Sequence, residues 1–246
     1  MSTTKTAVVI GAGPGLGMSV AHRFGREGYA VALISRTDTR HADYVAALAE
    51  AGVEAQAFTA DVVDRDRLRS ALDTATERFG TIDVVYYGPG AADPDAPLKP
   101  ITGIGSDDAR EAMSWVYPAV DVVEHVLPGM VGRGEGGLLF AGGLSAVHPM
   151  PPLGALAIAS AALRNYAVTL HAGLADQGVY AGNLTIGGLV ERGDIHRLVK
   201  SQPEKFGDVG DKTLDPDDIA DEAWRLFTGR DRAEAVFSAF AAGVER

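Results

Sequence analysis

Three short stretches of the chain carry residue types whose spacing suits them to chemistry. The first, Gly11-Ala12-Gly13-Pro14-Gly15-Leu16-Gly17, puts four glycines into seven residues between an apolar run and a helix-period one. A turn of this kind binds phosphate, because unpaired N–H groups and the positive end of the helix dipole face the anion and missing Cβ atoms let the backbone come close. A side chain at Gly15 is expected to obstruct that contact. The second stretch, Ser35-Arg36-Thr37, ends the next apolar run. An acidic residue at this place pairs with the free ribose hydroxyls of NAD, whereas a basic one neutralises the 2′-phosphate of NADP, so Arg36 predicts NADP(H). The third holds Ser145 and His148, a hydroxyl and an imidazole on one loop, of which the imidazole can carry a proton near neutral pH. Each has a plainer reading as well: a tight turn, a solvated surface arginine, and ordinary loop residues beside Pro149.

The elements that must position these residues follow from hydrophobic period. Strand-like runs rich in Val, Ile and Leu alternate with longer helix-period stretches, which is the pattern of successive βαβ units and a mainly parallel sheet. Strands are predicted over 6–10, 30–35, 55–59, 82–86, 137–141, 179–186 and 235–240. Helices are predicted over 16–27, 43–51, 64–79, 107–126 with a kink at Pro118, 153–175 and 217–227. Gly28 and Gly80 stop the first and third helices. Residues 88–105 hold four prolines and four glycines and read as a long loop. Residues 188–214 read as a polar excursion, a substrate-side loop or lid. The expectation is one α/β domain over 1–246: a Rossmann-like, doubly wound, mostly parallel sheet of about seven strands with helices on both faces.

The spacing Gly11-x-x-x-Gly15-x-Gly17, with Leu16 where other dinucleotide motifs have a third glycine, resembles the glycine motif of the short-chain dehydrogenase/reductase family. The similarity extends along almost the whole chain. Asp61-Val62 resembles the family's adenine-contacting pair. Tyr87-Gly88-Pro89-Gly90 stands where the family usually has Asn-Asn-Ala-Gly, which implicates Gly88 and Gly90 in the cofactor site. Asn183 to Val190 resembles the stretch whose usual Pro-Gly ends the sixth strand, with Gly187 in place of the proline, and the match implies that Val190 meets the nicotinamide carboxamide. The resemblance thus implies a cofactor site of Gly11, Gly13, Gly15, Leu16, Gly17, Ser35, Arg36, Thr37, Asp61, Val62, Gly88, Gly90 and Val190.

The family supplies its proton from a Tyr whose pKa is lowered by a Lys four residues later. Here tyrosine occurs at 29, 44, 86, 87, 117, 166 and 180, none with Lys four residues on, and no lysine lies between Lys99 and Lys200. Alignment of Ser160-Ala161-Ala162-Leu163 with the family's Lys-Ala-Ala-Leu puts Leu156 at the Tyr position and Ser160 at the Lys position, and a one-residue slip gives Ala157 and Ala161 instead. The same frame puts Gly143 at the usual Ser and Trp115 at the usual Asn. The expected pocket is apolar, with Ser145 and His148 as the catalytic candidates.

Composition limits the alternatives. Apolar residues at 46% and charged residues at 22% are globular proportions. A net charge of −11 repels phosphate backbones and anionic lipid heads, so neither nucleic acid nor membrane is an expected partner. There is no cysteine, and six scattered histidines show no metal-ligand spacing, so no metal is expected. Met1 to Lys5 lacks the regions of a signal peptide, and the expected location is cytoplasmic. On that expectation Arg192-Gly193-Asp194 and Asn183-Leu184-Thr185 are chance matches to adhesion and glycosylation motifs. A homo-oligomer, dimer or tetramer, is expected from the apolar content of the helices over 107–126 and 153–175. The leading functional reading is an NADP(H)-binding oxidoreductase acting on an apolar small molecule by an atypical proton route. A catalytically silent NADP(H)-binding sensor or subunit, and a non-redox enzyme on the same fold, are the alternatives.

Overall fold

Runs of β-branched and apolar residues bounded by glycine and polar residues form the strands that their pattern predicts. In the computed structural model, which describes residues 4–90 and 98–240, β1 (Thr6–Ile10), β2 (Ala30–Ser35) and β3 (Ala55–Thr59) occupy the expected residues. Between them run α1 (Leu16–Arg26) and α2 (His41–Glu50), and then α3 (Arg65–Phe79), capped by the Asp64 carboxylate accepting from the Arg67 amide at 3.1 Å. The chain continues through β4 (Val84–Tyr87), α4 (Ser106–Met113), α5 (Tyr117–Arg133), β5 (Gly136–Gly143), α6 (Ala155–Gly173) and β6 (Val179–Gly187).

The remaining elements are β7 (Leu189–Val190), α7 (Asp194–Ser201), α8 (Pro203–Phe206), β8 (Thr213–Leu214), α9 (Pro216–Gly229) and β9 (Glu234–Ser238). The large sheet has seven strands in the order β3-β2-β1-β4-β5-β6-β9, and every pairing is parallel. Order reverses between β1 and β4, so the connections leaving these two strands diverge to opposite faces and open a crevice at their C-terminal ends.

Both faces of the sheet are covered, which is why the strands read as unbroken apolar runs. On one face Val8, Ile10, Ala32 and Ile34 pack with Leu68 of α3, Val122 of α5 and Leu163 of α6. On the other, Val9, Val31 and Leu33 pack with Phe24 of α1, Leu48 of α2 and Leu226 of α9. Phe24 also meets Trp224 edge to face at a centroid separation of 5.2 Å, joining α1 to α9.

Some boundaries differ from expectation. The single kinked helix over 107–126 is two helices separated by a turn at 114–116. Pro118 explains the break: it lies in the first turn of α5, where its missing N–H would have no helical acceptor anyway. α5 then runs past 126 to Arg133 with Pro128 inside it, an insertion that costs about 3 kcal/mol in an isolated helix. Packing offsets it, since Met130 is fully buried and the Arg133 guanidinium donates to the Ile82 carbonyl at 2.7 Å. Of the loop over 88–105, residues 91–97 lie outside the described residues, as do Met1 to Thr3 of the polar N-terminus. The rest of that loop contains a single 3-10 turn over 101–103.

The excursion over 188–214 is more ordered than its polarity suggests. Its ends are joined by a parallel ladder, Leu189 beside Thr213 and Val190 beside Leu214. α7 follows from Ile195, Leu198 and Val199, an i, i+3, i+4 apolar set that was legible in the sequence.

A polar cluster anchors the edge strand to α6. The Glu234 carboxylate accepts from Nε and Nη2 of Arg164, each at 2.6 Å, and from Thr185 Oγ1 at 2.6 Å. Burial pushes the Glu234 carboxyl up, but the bonds from Arg164 and Thr185 outweigh burial and hold it below its ordinary 4.5. A carboxyl lowered by folding stabilises the fold above its unfolded pKa and loses that contribution as pH falls through its folded pKa. Urea unfolding followed from neutral pH to about 3 should therefore show less acid-induced loss of stability in Glu234→Gln than in the unmodified protein. Equal slopes in the two would show that this carboxylate contributes nothing to the acid limb.

Candidate functional site

The crevice between β1 and β4 is floored by the glycine turn, and the four glycines are there for different reasons. Gly11 has φ of +89°, and a Cβ on it would lie 2.7 Å from the carbonyl carbon and oxygen of Gly88. A Cβ on Gly17 would lie 2.7 Å from the Gly11 carbonyl oxygen. These two therefore permit backbone to pack on backbone. Gly15 was expected to keep a path clear for a ligand, but its bare side faces the loop after β7, 3.1 Å from Glu191 O and Gly193 N. Of the four only Gly13 faces open space, where an added Cβ would find nothing nearer than the Gly11 oxygen at 3.9 Å.

The first turn of α1 leaves donors free. Met18 and Ser19 donate to the carbonyls of Gly13 and Gly15 at 3.0 and 3.2 Å, whereas the amides of Gly15, Leu16 and Gly17 meet no backbone carbonyl among the described residues. No acidic residue occupies that turn, so nothing in it competes for an incoming anion.

The cleft above the turn has a volume of about 400 Å³. Gly11, Gly13, Gly15, Leu16 and Gly17 line it on one side, with Ser35 and Arg36 from the end of β2. Val62, Gly88, Gly90 and Val190 complete the set of expected cofactor residues that meet there, together with Tyr86, Trp115 and Asp194. Two expected residues are not in its lining. Thr37 is exposed and its carbonyl accepts from Ser35 Oγ at 3.0 Å, and the Asp61 carboxylate turns back to accept from the Val63 amide at 3.2 Å.

The chemistry of the lining suits a dinucleotide. Unpaired amides can hold a pyrophosphate, and the exposed Arg36 guanidinium can pair with a further phosphate. Ser35 Oγ also meets His41 Nε2 at 2.7 Å; partial burial holds the His41 pKa below its ordinary value, against the pull of Asp38. Tyr86 and Tyr87 are buried, and burial raises both phenols far above their ordinary range, so they stay protonated. Gly88 makes room for Tyr86, whose hydroxyl would be 2.2 Å from a Cβ there, and Tyr87 donates to the Trp115 carbonyl at 2.7 Å.

The catalytic candidates lie outside the lining of this cleft, along the turn that follows β5. Ser145 is half-buried and His148 is exposed, its amide donating to the Leu144 carbonyl at 2.9 Å. Ser145 shares the space beside Gly143 with Ser160, the residue that the resemblance put at the family's Lys position. A Cβ on Gly143 would lie 3.1 Å from Ser160 Oγ and 3.5 Å from Ser145 Oγ, so hydroxyls from α6 and from the turn converge on one point. No sequence spacing announces that approach. Gly187, where the resemblance implied proline, leaves room for Leu144, whose Cδ2 would be 2.4 Å from a Cβ at 187.

Arg192, treated as part of a chance tripeptide, has φ of 65° and reaches Asp217 Oδ2 at 2.9 Å and Ser19 Oγ of α1 at 3.2 Å. Among the described residues no group of three His, Cys, Asp or Glu could hold a metal ion, and no helix is long and apolar enough to cross a membrane.

Comparison with known proteins agrees with this geometry. A family model described as short chain dehydrogenase matches residues 5–197. Oxidoreductase asL5 of Sarocladium schorii is 31% identical over 177 residues, 72% of this chain and 69% of that protein. The 1-deoxy-11-beta-hydroxypentalenate dehydrogenase of Streptomyces exfoliatus is 29% identical over 231 residues, 93% of this chain and 81% of that protein. In fold the chain is similar to L-sorbose reductase from Gluconobacter frateurii, solved with NADPH and L-sorbose, at a TM-score of 0.84 and 19% identity, covering 99% of this chain and 100% of that one.

The unequal glycines make a test. Gly13→Ala should fold with unchanged stability, since its Cβ enters open space, yet bind a dinucleotide less tightly. Gly17→Ala should lose about 1–3 kcal/mol in urea unfolding, because its Cβ meets backbone that cannot rotate away. Equal stability of the two variants would contradict the packing described for the turn.

Proposed function

The chain belongs to the short-chain dehydrogenase family, and from that membership we propose that the protein is an NADP(H)-binding oxidoreductase acting on an apolar small molecule without a tyrosine–lysine proton donor. The observation that carries the proposal is the meeting, in one cleft, of free amides at the start of α1 with Arg36 at the end of β2. In this reading residues 1–246 form one dinucleotide-binding unit, and residues 188–214 form the wall or lid on the substrate side.

When bound, the reduced nicotinamide supplies a hydride to the substrate carbon. The chain must then deliver one proton to the oxygen on which negative charge develops. Burial keeps Tyr86 and Tyr87 protonated too firmly to give a proton readily, and neither has a cationic partner four residues on. Ser145 and His148 are the proposed donors, with the Ser145 and Ser160 hydroxyls converging beside Gly143 to hold the substrate oxygen. The free amides of Gly15, Leu16 and Gly17 would hold the pyrophosphate, Arg36 the 2′-phosphate, and Val62 and Val190 would contact the two ends of the dinucleotide.

The silent reading, an NADP(H)-binding sensor or subunit, has its own support in the absence of any tyrosine with lysine four residues on. Titration with NADPH followed by assay with ketones, enones and imines separates the two: binding without turnover favours the silent protein. Exposed Tyr117 and Val120 on α5 and Ile158 on α6 support pairing of copies through these helices as a homo-oligomer.

Arg36 should confer tighter binding of NADPH than of NADH, a preference that Arg36→Ala narrows; equal affinities in the unmodified protein, at one ionic strength, would overturn the cofactor assignment. If the protein turns over, His148→Ala should keep its NADPH affinity and lose on the order of a hundredfold in kcat. An unaltered rate would eliminate His148 and leave the two serines.

A further inference from the structure

A second guanidinium, already committed to an anion, is bonded to a residue of the cleft lining. Arg40, the residue before α2, donates Nη1 to Asp194 Oδ2 at 2.7 Å and Nη2 to Asp194 Oδ1 at 2.9 Å. Asp194 is the first residue of α7 and lines the same cleft as Arg36. This bidentate pair, 154 residues apart in sequence, ties the excursion over 188–214 to the β2–α2 connection. The ground beneath it is built: His41 is hydrogen-bonded to Ser35, and Tyr44, one turn on from Arg40, is buried.

We propose that Arg40 is an exchangeable reader of the cofactor's 2′-phosphate, held in place by Asp194 until the phosphate takes it, and that this exchange unties α7 from α2. The inference rests on the NADP(H) reading of the cleft. Three physical points carry it. The side chains of Arg40 and Asp194 are 44% and 53% exposed, so solvent screens the pair and little is lost in breaking it. A phosphate presents more charge and more acceptor oxygens to the same planar fork than one carboxylate does. Asp194, facing the cleft, repels a phosphate placed at Arg36, and that repulsion is relieved only if α7 carries the carboxylate away. NAD(H) has no phosphate at this position and leaves the tie intact. Phosphate and Asp194 compete for one guanidinium, so each weakens the other's hold on it.

The test is fluorescence titration of NADPH and NADH into the full chain, Arg40→Ala and Asp194→Asn, together with amide hydrogen exchange over 194–201. Asp194→Asn should bind NADPH about three- to tenfold more tightly with NADH little changed, and Arg40→Ala should weaken NADPH by a similar factor. Exchange over 194–201 should rise with NADPH, stay level with NADH, and be raised already in Asp194→Asn without ligand. If NADPH preference through Arg36 stands but Asp194→Asn binds NADPH no more tightly, or α7 exchanges alike with both dinucleotides, the exchange of partners is overturned while the cofactor reading survives. If the unmodified protein shows no preference for NADPH, the cofactor reading fails and this inference with it.

Discussion

The ligand-facing end of the molecule depends on how closely the backbone leaving β1 approaches the backbone leaving β4. At Gly11 no side chain fits, because the Gly88 carbonyl occupies its place, and at Gly17 none fits because the Gly11 carbonyl does. This double contact brings the start of α1 down onto the strand ends and aims its first amides into the crevice. The reversal of strand order at β1 and β4 makes the crevice, and the glycines let the helix reach it. Leu16, in the middle of the motif, is buried and ties the turn to the core on the α1 side of the sheet.

Charge is distributed with the same economy. A molecule of net charge −11 gathers three arginines around the mouth of one cleft, Arg36 on the lining and Arg40 and Arg192 next to it. Two of them are held by carboxylates, Asp194 for Arg40 and Asp217 for Arg192, and those contacts fasten the excursion after β6 to α2 and to α1 and α9. The turn after β5, outside the cleft lining, is different in kind, with hydroxyls from Ser145 and Ser160 beside Gly143 and without a buried charge among the residues named there.

How much of this was legible depends on the range of the interaction. Three strands, the glycine turn and the stop signals at Gly28 and Gly80 follow from period and from backbone conformations that only glycine adopts easily, both local properties. The division of the 107–126 stretch into two helices was half legible, since Pro118 announces a helix start as well as a kink. The passage of α5 through Pro128 was not, because it rests on Met130 finding a core and Arg133 finding the Ile82 carbonyl.

By itself, then, the sequence determined the alternating elements, the parallel sheet, the glycine turn, the basic residue at the end of β2 and the absence of any tyrosine with lysine four residues on. Each is a matter of which residues are neighbours along the chain or one helical turn apart. Tertiary structure alone decided that Gly15 faces the Glu191–Gly193 backbone, that Ser145 and Ser160 both approach the bare side of Gly143, and that Arg40 holds Asp194 of the cleft lining. These contacts join residues from 15 to more than 150 positions apart, and they exist only because packing on the two faces of the sheet brings separate strand ends to one edge.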